Sequence, residues 1–334
     1  MSIDVERADP ADRDTWDDRI ERSGAGTVFH RWDALEVVER HAGATLHPLV
    51  GYKGQEPVGL LPAYEISKGG VSTVFSPPPG MGLPSLGPVT LAPDDLKQRK
   101  RERRNRRFVT AALEWLADEC SPKYERFVTP VGYGDPRPFT WEGFDVSPRF
   151  TYQVDLRPGS EAVMDSFKKS LRSDIRRSLD EDYDVRRGDR SDVAFVVERV
   201  RERYEAQGES YSLQTDYVTD LYDALADDHA AVYVGHVDGE RVSGIVRPAF
   251  DGTMYYWQGG GKPDLPLPMN DLIHWEMIQD AIAEGIETYD LVGANTERIC
   301  QYKAKFNPDL RPYYEVERGT RAMNLVSEVY KRFR

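Results

Sequence analysis

Two side chains in the last fifth of the chain could act directly on a substrate. Asp290 follows a β-prone segment and could orient or deprotonate an amine. Lys303 could hold a phosphate, a carboxylate or a developing oxyanion. These groups suit the transfer of an acyl group to an amine, which requires a neutral amine, a polarised carbonyl and a protonated leaving group. The alternatives are an ordinary carboxylate at a strand end and an ordinary surface lysine.

The residues required for covalent or metal-dependent catalysis form no recognisable motif. No Ser-His-Asp or Cys-His arrangement is evident, which favours direct attack by the amine without a covalent enzyme intermediate. The two cysteines, Cys120 and Cys300, lie far apart and the six histidines are not clustered, so we expect no metal site. We also expect no bound cofactor. Cys300 follows the apolar Ile299, which is more typical of buried packing than of a nucleophile.

The elements that must position these side chains are a strand, a glycine loop and a helix. Residues 254–257 have the β-propensity of a buried strand, and Gly259 and Gly260 remove the side chains where it ends, so backbone amides could face a ligand. Asn270 is a good N-cap for the helix that follows. A phosphate or carboxylate could dock at that helix start, and a plain connection between helix and strand is the alternative. Residues 287–292 predict a second strand.

Basic residues repeat along the segment 160–179, which is predicted to be one continuous helix. Its apolar residues recur every four positions and form a buried stripe. Lys168, Arg172 and Arg176 recur with the same spacing, where their repulsion costs roughly 0.2–0.5 kcal/mol per pair. We favour a clamp for an anionic donor or acceptor, in which Arg172 and Lys303 converge on one anion. The alternative is a solvated charged face.

The remaining predicted contacts to the substrate come from aromatic residues, glycines and amides of the second half. Aromatic side chains and a few polar groups line most ligand pockets. With the basic residues included, the predicted substrate-binding set is Lys168, Arg172, Arg176, Tyr211, Trp257, Gly259, Gly260, Asn270, Asn295, Tyr302 and Phe306.

A series of short motifs runs along the second half of the chain. In order, they are Gly259-Gly260, Asn270-Asp271-Leu272 with Trp275, Tyr289-Asp290-Leu291 with Gly293, and Ile299 and Tyr302-Lys303 with Phe306. This order and spacing resemble the second domain of FemAB-type proteins. Those proteins are tandem transferases of the acetyltransferase (GNAT) fold and include the aminoacyl transferases that build peptide cross-bridges in cell walls. The resemblance extends upstream to residues 167–177, which are similar to the family's basic helix.

The resemblance implies a mixed α/β fold of two tandem GNAT-like domains, each a mixed, mostly antiparallel twisted sheet flanked by helices. The sequence agrees, because each half contains a helix, a hairpin, a glycine-rich segment, a helix and a strand in that order. The hairpins are predicted to turn at Lys53-Gly54 and at Asp238-Gly239. We place the domains at residues 1–147 and 148–334, with the acyl-transfer cleft in the second.

The resemblance implies acyl-CoA or aminoacyl-tRNA as a co-substrate and leaves the choice open. The long helical arm of the wall-building members is missing, which favours an acyl-CoA donor. A coenzyme A loop of the Q/R-x-x-G-x-G/A type is also missing, and residues 258–261 match it only in part. We therefore predict an N-acyltransferase or aminoacyltransferase that acts on an amine of a cell-surface polysaccharide or peptide precursor. The alternative is a noncatalytic GNAT-fold protein that binds a glycan or a nucleotide-linked precursor.

Composition excludes several other classes of protein. The chain of 334 residues is 40% hydrophobic, enough to fill two cores. Its 57 acidic and 44 basic residues give a net charge of −13, which argues against nonspecific binding of nucleic acid by the whole surface. No segment has the ~20 consecutive apolar residues of a membrane span, and the N-terminus is unlike a signal peptide, so we expect a cytoplasmic location. No oligomeric state is indicated.

Two basic segments are conspicuous in this acidic chain. The run from Lys97 to Arg107 holds eight basic residues and one acidic residue, and it could contact tRNA or anionic lipid headgroups. The favoured alternative is a mobile loop that leads into a helix beginning near Phe108. Residues 326–334 are basic and amphipathic, for which internal packing is favoured over peripheral membrane contact.

Overall fold

The computed structural model describes residues 2–92, 95–225, 229–260 and 266–320. Within these ranges the chain forms two compact units. The first comprises residues 1–149 and the described residues from Pro312 onward, and the second comprises residues 150–311. The basic segment 326–334, for which packing or membrane contact was predicted, lies outside the described residues.

In its described residues the first unit contains four α-helices and a sheet. Its helices are α1 (Arg13–Glu21), α2 (Trp32–Ala42), α3 (Gln98–Cys120) and α4 (Arg137–Trp141). Its first strands are β1 (Asp4–Arg7), β2 (Thr45–Lys53), β3 (Glu56–Lys68), β4 (Val71–Ser76), β5 (Val89–Thr90) and β6 (Tyr124–Val128). The predicted hairpin is formed by β2 and β3, because Gly54 adopts the left-handed conformation that its tight turn requires.

The second unit repeats this plan, with six α-helices in the part of it that the structure describes. They are α5 (Ser160–Ser166), α6 (Lys169–Ser178), α7 (Arg190–Ala206), α8 (Thr215–Leu225), α9 (Met269–Ala283) and α10 (Glu297–Lys303). Its strands are β7 (Asp145–Asp155), of which residues 150–155 belong to this unit, β8 (Asp184–Arg187), β9 (Ala230–Val237), β10 (Glu240–Phe250), β11 (Thr253–Tyr255), β12 (Gln258–Gly259) and β13 (Thr288–Asp290). A last strand, β14 (Asp309–Gly319), follows it along the chain.

The two units share one strand order. The first unit reads β1-β2-β3-β4-β6-β14, and the second reads β8-β9-β10-β11-β13-β7. Most neighbouring strands are antiparallel, but β4 with β6 and β11 with β13 are parallel. The short strands β5 and β12 pair with the corresponding strands β3 and β10. The predicted mixed, mostly antiparallel α/β fold with two repeated halves is confirmed.

The division of the chain has a second crossing point that the sequence did not indicate. The domains were placed at residues 1–147 and 148–334, and the chain passes into the second unit near residue 150. After the second unit, however, β14 pairs with β6 of the first, with Val316 opposite Phe127. The sequence of each strand shows only its own alternation of apolar and polar residues. It therefore does not indicate which distant strand becomes its neighbour.

The segment 160–179 is not one helix, so that prediction is wrong. α5 ends at Ser166 and α6 begins at Lys169, with Phe167 and Lys168 in extended conformations between them. The buried ring of Phe167 packs at 5.4 Å from that of Phe306, and the Lys168 N–H donates to the Lys305 carbonyl over 2.9 Å. These tertiary contacts stabilise the extended residues that interrupt the helix. Lys168 therefore does not share a continuous helical face with the arginines that follow it.

The basic run 97–107 is helical, so its interpretation as a mobile loop is also wrong. α3 covers it without a break from Gln98 onward. Asn105 within the run is buried, where its side chain donates to the Asp135 carbonyl and accepts from the Tyr133 hydroxyl, each over 2.8 Å. This anchoring holds the helix although its first turns carry positive charge that opposes the helix dipole.

The second half of α3 closes the core of the first unit against β2 and β3. Phe108 is fully buried over two glycines, one on each strand. A Cβ atom at Gly51 would lie 2.4 Å from the Phe108 ring, and one at Gly59 would lie 2.5 Å from it. Glycine is therefore required at both positions for the helix to approach the sheet this closely.

Candidate active site

The candidate site lies where two parallel strands of the second unit separate. β11 and β13 pair up to Tyr255 and Asp290, and the Tyr256 N–H donates to the Asp290 carbonyl over 2.9 Å. On its other edge β13 stays paired with β7, where the Leu291 N–H donates to the Tyr152 carbonyl over 2.8 Å. Beyond Tyr256, no backbone hydrogen bond among the described residues joins the two strands. We call this opening at their carboxyl ends the strand gap.

An extra residue in the first of these strands causes the separation. Ala249 of β10 pairs with Met254, and Val246 pairs with Gln258. Three steps along β10 (246 to 249) therefore face four steps along its partner (254 to 258), which defines a one-residue bulge. Beyond the bulge, Gln258 and Gly259 pair with β10, whereas Tyr256 is the last described residue that donates a backbone hydrogen bond to β13.

A strained turn follows β13 on the other side of the strand gap. Val292 has a φ of 52° and Gly293 a φ of 78°, and the left-handed region is unusual for a β-branched residue. Asp290 holds the turn, because one carboxylate oxygen accepts from the Val292 N–H over 2.8 Å and from the Thr151 hydroxyl over 2.6 Å. The other oxygen accepts from the Gln153 amide over 3.0 Å.

Both oxygens of Asp290 thus have protein donors, and its side chain is buried. Burial raises the pKa of this carboxyl group, while the hydrogen bonds from Thr151 and Gln153 and the nearby charge of Lys303 oppose the rise. Asp290 had been predicted to orient or deprotonate an amine. In the structure its contacts are those of a residue that shapes the turn.

Lys303, the last residue of α10, points its ammonium group at this turn. Nζ donates to the carbonyl of Val292 and, over 3.1 Å, to that of Gly293. The residue is only 7% exposed, and burial lowers its pKa to about 8, although Asp290 favours the charged form. Nζ also lies 5.6 Å from the centre of the Tyr256 ring across the strand gap. An ammonium group has three N–H donors, and two carbonyls account for two of them.

A buried histidine forms the floor beneath Tyr256. His274 of α9 is fully buried, its Nδ1 lies 2.6 Å from the Tyr289 hydroxyl, and its ring meets that of Tyr256 edge-on at 4.7 Å. Burial, and then the charges of Lys305 and Lys303, lower the pKa of His274 to about 3, so the ring is neutral at physiological pH. Its Nε2 has no hydrogen-bond partner within the described part of the chain.

An ion pair fixes the start of α9 against the segment 302–306. Asp271 accepts from the Lys305 ammonium over 2.5 Å and from the Tyr302 hydroxyl over 3.0 Å. Lys305 also lies 3.8 Å from the centre of the Tyr302 ring. Phe306 is fully buried in the core beside them. The predicted residues Tyr302 and Phe306 therefore lie beside Lys303. Their side chains pack against neighbouring protein groups and do not extend into the strand gap.

Asn270 is not the N-cap of α9, contrary to prediction. The helix begins at Met269, and its capping position is occupied by Pro268 without a side-chain hydrogen bond. The Asn270 side chain instead accepts from the Ser243 hydroxyl over 2.6 Å and ties the helix to β10. Asn295, which is exposed, exchanges two hydrogen bonds with the backbone of Phe150 over 2.9 and 3.0 Å. Both amides hold local structure.

The glycine loop permits close packing at the edge of the strand gap. A Cβ atom at Gly259 would lie 2.6 Å from the Gly244 carbonyl, and one at Gly260 would lie 2.2 Å from the Tyr256 hydroxyl. The Gly260 N–H donates to Gly244 over 3.4 Å, so this amide has a backbone acceptor. Gly259 therefore lets the loop lie against β10, and Gly260 leaves room for the Tyr256 hydroxyl. Both roles differ from the predicted presentation of amides to a ligand.

Two predicted aromatic residues flank this loop. The Tyr211 hydroxyl donates to the Gln258 side chain over 2.8 Å. Trp257 is buried, and its ring meets that of Tyr217 edge-on at 6.4 Å. Trp257 is the residue after Tyr256, and Tyr211 reaches the loop from the segment between α7 and α8.

The basic helix makes its own contacts. The Arg172 guanidinium donates to the Asp165 carbonyl, and Arg176 pairs with the Asp165 carboxylate over 3.2 Å. These groups are largely exposed, so the ion pair adds little stability. Lys168 is exposed at the start of α6. Across the described ranges no contact joins Arg172 to Lys303, so the structure does not itself show the predicted convergence of these two cations.

The sequence missed His274, Tyr256 and the ion pair of Lys305 with Asp271. His274 interrupts an otherwise apolar face of α9, and that isolated polar residue was the available signal. Tyr256 was treated only as part of a buried strand. Its exposure to the strand gap depends on the bulge, which the sequence does not mark.

The chain is similar to one family model and to several solved structures. Residues 165–304 match the family model described as an acetyltransferase (GNAT) domain. The solved structure of FemX has a TM-score of 0.72 and 12% identity, covering 93% of this chain and 96% of that chain. L-PGS from Bacillus licheniformis has a TM-score of 0.56 and 14% identity, covering 98% and 97%. A tandem GNAT protein from the clavulanic acid biosynthesis pathway has a TM-score of 0.53 and 11% identity, covering 95% and 98%.

These likenesses show the tandem GNAT fold, and the predicted resemblance to that fold is confirmed. No curated protein matches the sequence. Among the helices of the described ranges, none has both the length and the apolar character needed to cross a bilayer. The strand gap and Lys303 lie within the matched residues 165–304.

Proposed function

Because residues 165–304 form a GNAT-type acetyltransferase domain, we propose that this protein is an N-acyltransferase or aminoacyltransferase. It moves an acyl group from acyl-CoA or aminoacyl-tRNA to an amine of a cell-surface polysaccharide or peptide precursor. One observation carries the proposal most directly. Lys303 is a buried ammonium group, held by two backbone carbonyls at the point where two parallel strands separate.

In this proposal the strand gap receives the activated acyl group. The amine attacks the acyl carbon, the new C–N bond forms, and negative charge develops on the carbonyl oxygen. The third N–H of Lys303 donates to that oxygen, and the surrounding low polarity strengthens the interaction. The tetrahedral intermediate then expels the thiolate of coenzyme A or the ribose oxygen of tRNA, which takes up a proton as the amine loses one.

The pKa of Lys303 suits a proton donor near neutral pH. At a pKa of about 8 the ammonium form predominates below pH 8, yet its proton is more easily released than that of an exposed lysine. The two carbonyls that accept from Nζ orient the group without neutralising it. Asp290 acts indirectly, by holding the turn that carries both carbonyls.

The anionic parts of donor and precursor are assigned to the basic residues of the second unit, Lys168, Arg172 and Arg176. Guanidinium groups bind phosphate through paired hydrogen bonds, and the present partner of Arg172 is a single carbonyl that a phosphate could replace. The basic run 97–107 is the remaining candidate for tRNA, and the cytoplasmic location stays a prediction.

The proposal is tested by direct assay of the purified chain. Acyl-CoAs and aminoacyl-tRNAs are each incubated with amino-sugar nucleotides and peptide precursors, and amide formation is followed by mass spectrometry. We expect product from one class of donor. We also expect Lys303→Met to lower kcat by about 100-fold, as expected for loss of an oxyanion donor. Lys68→Met, at an exposed position of β3, is the matched control and should retain full activity.

A noncatalytic binding protein is the second candidate. It is favoured by the contacts of Asp290 and Asp271, since each of these carboxylates near Lys303 already accepts hydrogen bonds from protein donors. In calorimetric titrations, binding of a nucleotide-linked precursor without binding or turnover of any acyl donor would support this candidate and reject the enzyme.

A further inference from the structure

Three side chains that commonly bind metals meet in the first unit. His47 lies on β2, Glu65 lies on β3, and Cys120 is the last residue of α3. His47 Nε2 is 3.4 Å from Glu65 Oε2 and 3.6 Å from Cys120 Sγ. The three atoms all lie within 4.8 Å of one another. His47 and Cys120 are buried, and Glu65 is partly exposed.

The fold brings these residues together although they are distant in sequence. Opposite His47 on β3 stands Ala63, so Glu65 is its diagonal neighbour on the same face of the sheet. α3 packs on these two strands through Phe108, and the end of the helix then carries Cys120 to His47, which is 73 residues earlier in the chain. Such spacing matches no metal-binding motif, which explains why the sequence led us to expect no metal site.

Hydrogen bonding alone does not satisfy this cluster. Nε2 of His47 carries either one proton or one lone pair, yet it faces both a carboxylate oxygen and a thiol sulfur. If it donates to Glu65, the Cys120 thiol can donate to Glu65 as well, and the lone pair of Nδ1 is left without a partner in the part of the chain that the structure describes. If it accepts from the thiol, its lone pair faces the carboxylate. Nδ1 on the other side of the ring is buried without a partner within the described ranges, so no tautomer satisfies every group.

A single cation placed between the three atoms would let Nε2, Oε2 and Sγ all act as electron-pair donors, with the ring proton of His47 on Nδ1. Zinc bonds of about 2.0–2.3 Å in a tetrahedron imply ligand separations of roughly 3.4 Å for nitrogen to oxygen and roughly 3.6 Å for nitrogen to sulfur. The observed separations are 3.4 and 3.6 Å. The geometry therefore already approximates two edges of a zinc tetrahedron.

The surroundings of the cluster also suit a metal ligand set. Glu65 Oε1 accepts from the hydroxyls of Ser67 and Ser72 over 3.1 and 2.7 Å, which leaves Oε2 directed at His47. The ring of Trp115 meets the His47 ring edge-on at 5.4 Å and limits its rotation. Hydrogen bonds of the kind that Glu65 receives orient metal ligands, whereas Nδ1 of His47 has no such partner among the described residues.

We propose that His47 Nε2, Glu65 Oε2 and Cys120 Sγ bind one Zn²⁺ ion, with water in the fourth position. The thiol of Cys120 loses its proton to solvent on binding, the sulfur donates its electron pair to zinc, and no oxidation occurs. The ion links β2, β3 and the end of α3, so its role is to stabilise the first unit. This site is independent of the function proposed for the second unit.

The test uses the full chain, stripped of metal with a chelator and titrated with Zn²⁺ against a chromophoric competitor. We expect one equivalent to bind to the wild-type protein, and the affinity to fall by more than about 10-fold in Cys120→Ser and in His47→Gln. Cys300→Ser removes the other cysteine and is the matched control. Its affinity should equal that of the wild type.

Two outcomes would overturn the site. One is a wild-type protein that binds no stoichiometric zinc, and the other is a Cys120→Ser variant with unchanged affinity. Substitution with Co²⁺ gives a measurement on the wild type that does not depend on how the variants fold. A sulfur-to-cobalt charge-transfer band should appear in the wild type and in Cys300→Ser, and its absence from the wild type rejects Cys120 as a ligand.

Discussion

Replacing Lys303 by methionine should make the stability of the protein less dependent on pH. Burial lowers the Lys303 pKa from 10.5 to about 8, so the folded state binds this proton less tightly than the unfolded state. The group therefore destabilises the folded protein below pH 8, and this penalty disappears as the pH rises toward 10.5. A shift of about 2.5 pKa units corresponds to roughly 3 kcal/mol at pH 7.

The penalty falls to roughly 1.4 kcal/mol at pH 9.5 by the same relation, so wild type should gain about 2 kcal/mol relative to Lys303→Met between pH 7 and pH 9.5. At pH 7 the variant loses two hydrogen bonds, and the unsatisfied carbonyls cost about 1–3 kcal/mol each. The difference in unfolding free energy between wild type and variant at any one pH is therefore a sum of opposing effects. Only its change with pH isolates the buried charge.

The measurement is urea unfolding of both proteins at several pH values, followed by circular dichroism. Lys68→Met, which removes an exposed lysine, reports the general effect of losing one positive charge. If the difference between wild type and Lys303→Met stays constant from pH 7 to pH 9.5, the ammonium group is not buried as described. The role assigned to it in the strand gap would then lose its physical basis.

Other expectations follow from the same site. Gly260→Ala should destabilise the protein by about 1–3 kcal/mol and lower kcat, because the new methyl group would lie 2.2 Å from the Tyr256 hydroxyl. Gly285→Ala has a similar φ of 81° with nothing within 4 Å, so it measures the backbone strain alone in the same unfolding assay. The kcat of acyl transfer should fall as the pH rises through about 8, since Lys303 then loses its proton, and a rate that rises there would contradict its role as a donor. Replacing the exposed arginines of the run 97–107 with glutamine should lower the rate of turnover with aminoacyl-tRNA and make that rate less dependent on salt concentration. The rate of turnover with acyl-CoA should change little.

Local patterns in the sequence determined much of the fold. The hairpins of both halves were located because glycine turns separate alternating apolar segments, and the helix α9 was located because its apolar residues repeat every three to four positions. These signals depend only on neighbours within about one or two turns of chain. The order of such elements in the two halves then predicted the repeated mixed sheet.

The candidate site depended on features that no local pattern encodes. The bulge that follows Tyr255 appears only when the register of two strands is known. Lys303 is buried because the turn at Val292 presents two carbonyls to it. The break after Ser166 shows the same limit. The pattern there favours helix, but the burial of Phe167 stabilises an extended segment.

The amino-acid sequence by itself determined which segments become helix and strand, and that the two halves repeat. Tertiary structure alone decided which polar groups meet, because residues such as His47 and Cys120 become neighbours only through the packing of a helix on a sheet. Helix and strand propensities act over a few residues. The pairing of strands and the burial of charges act between residues that are distant in the chain, so the strand gap and the His47 cluster were settled only by folding.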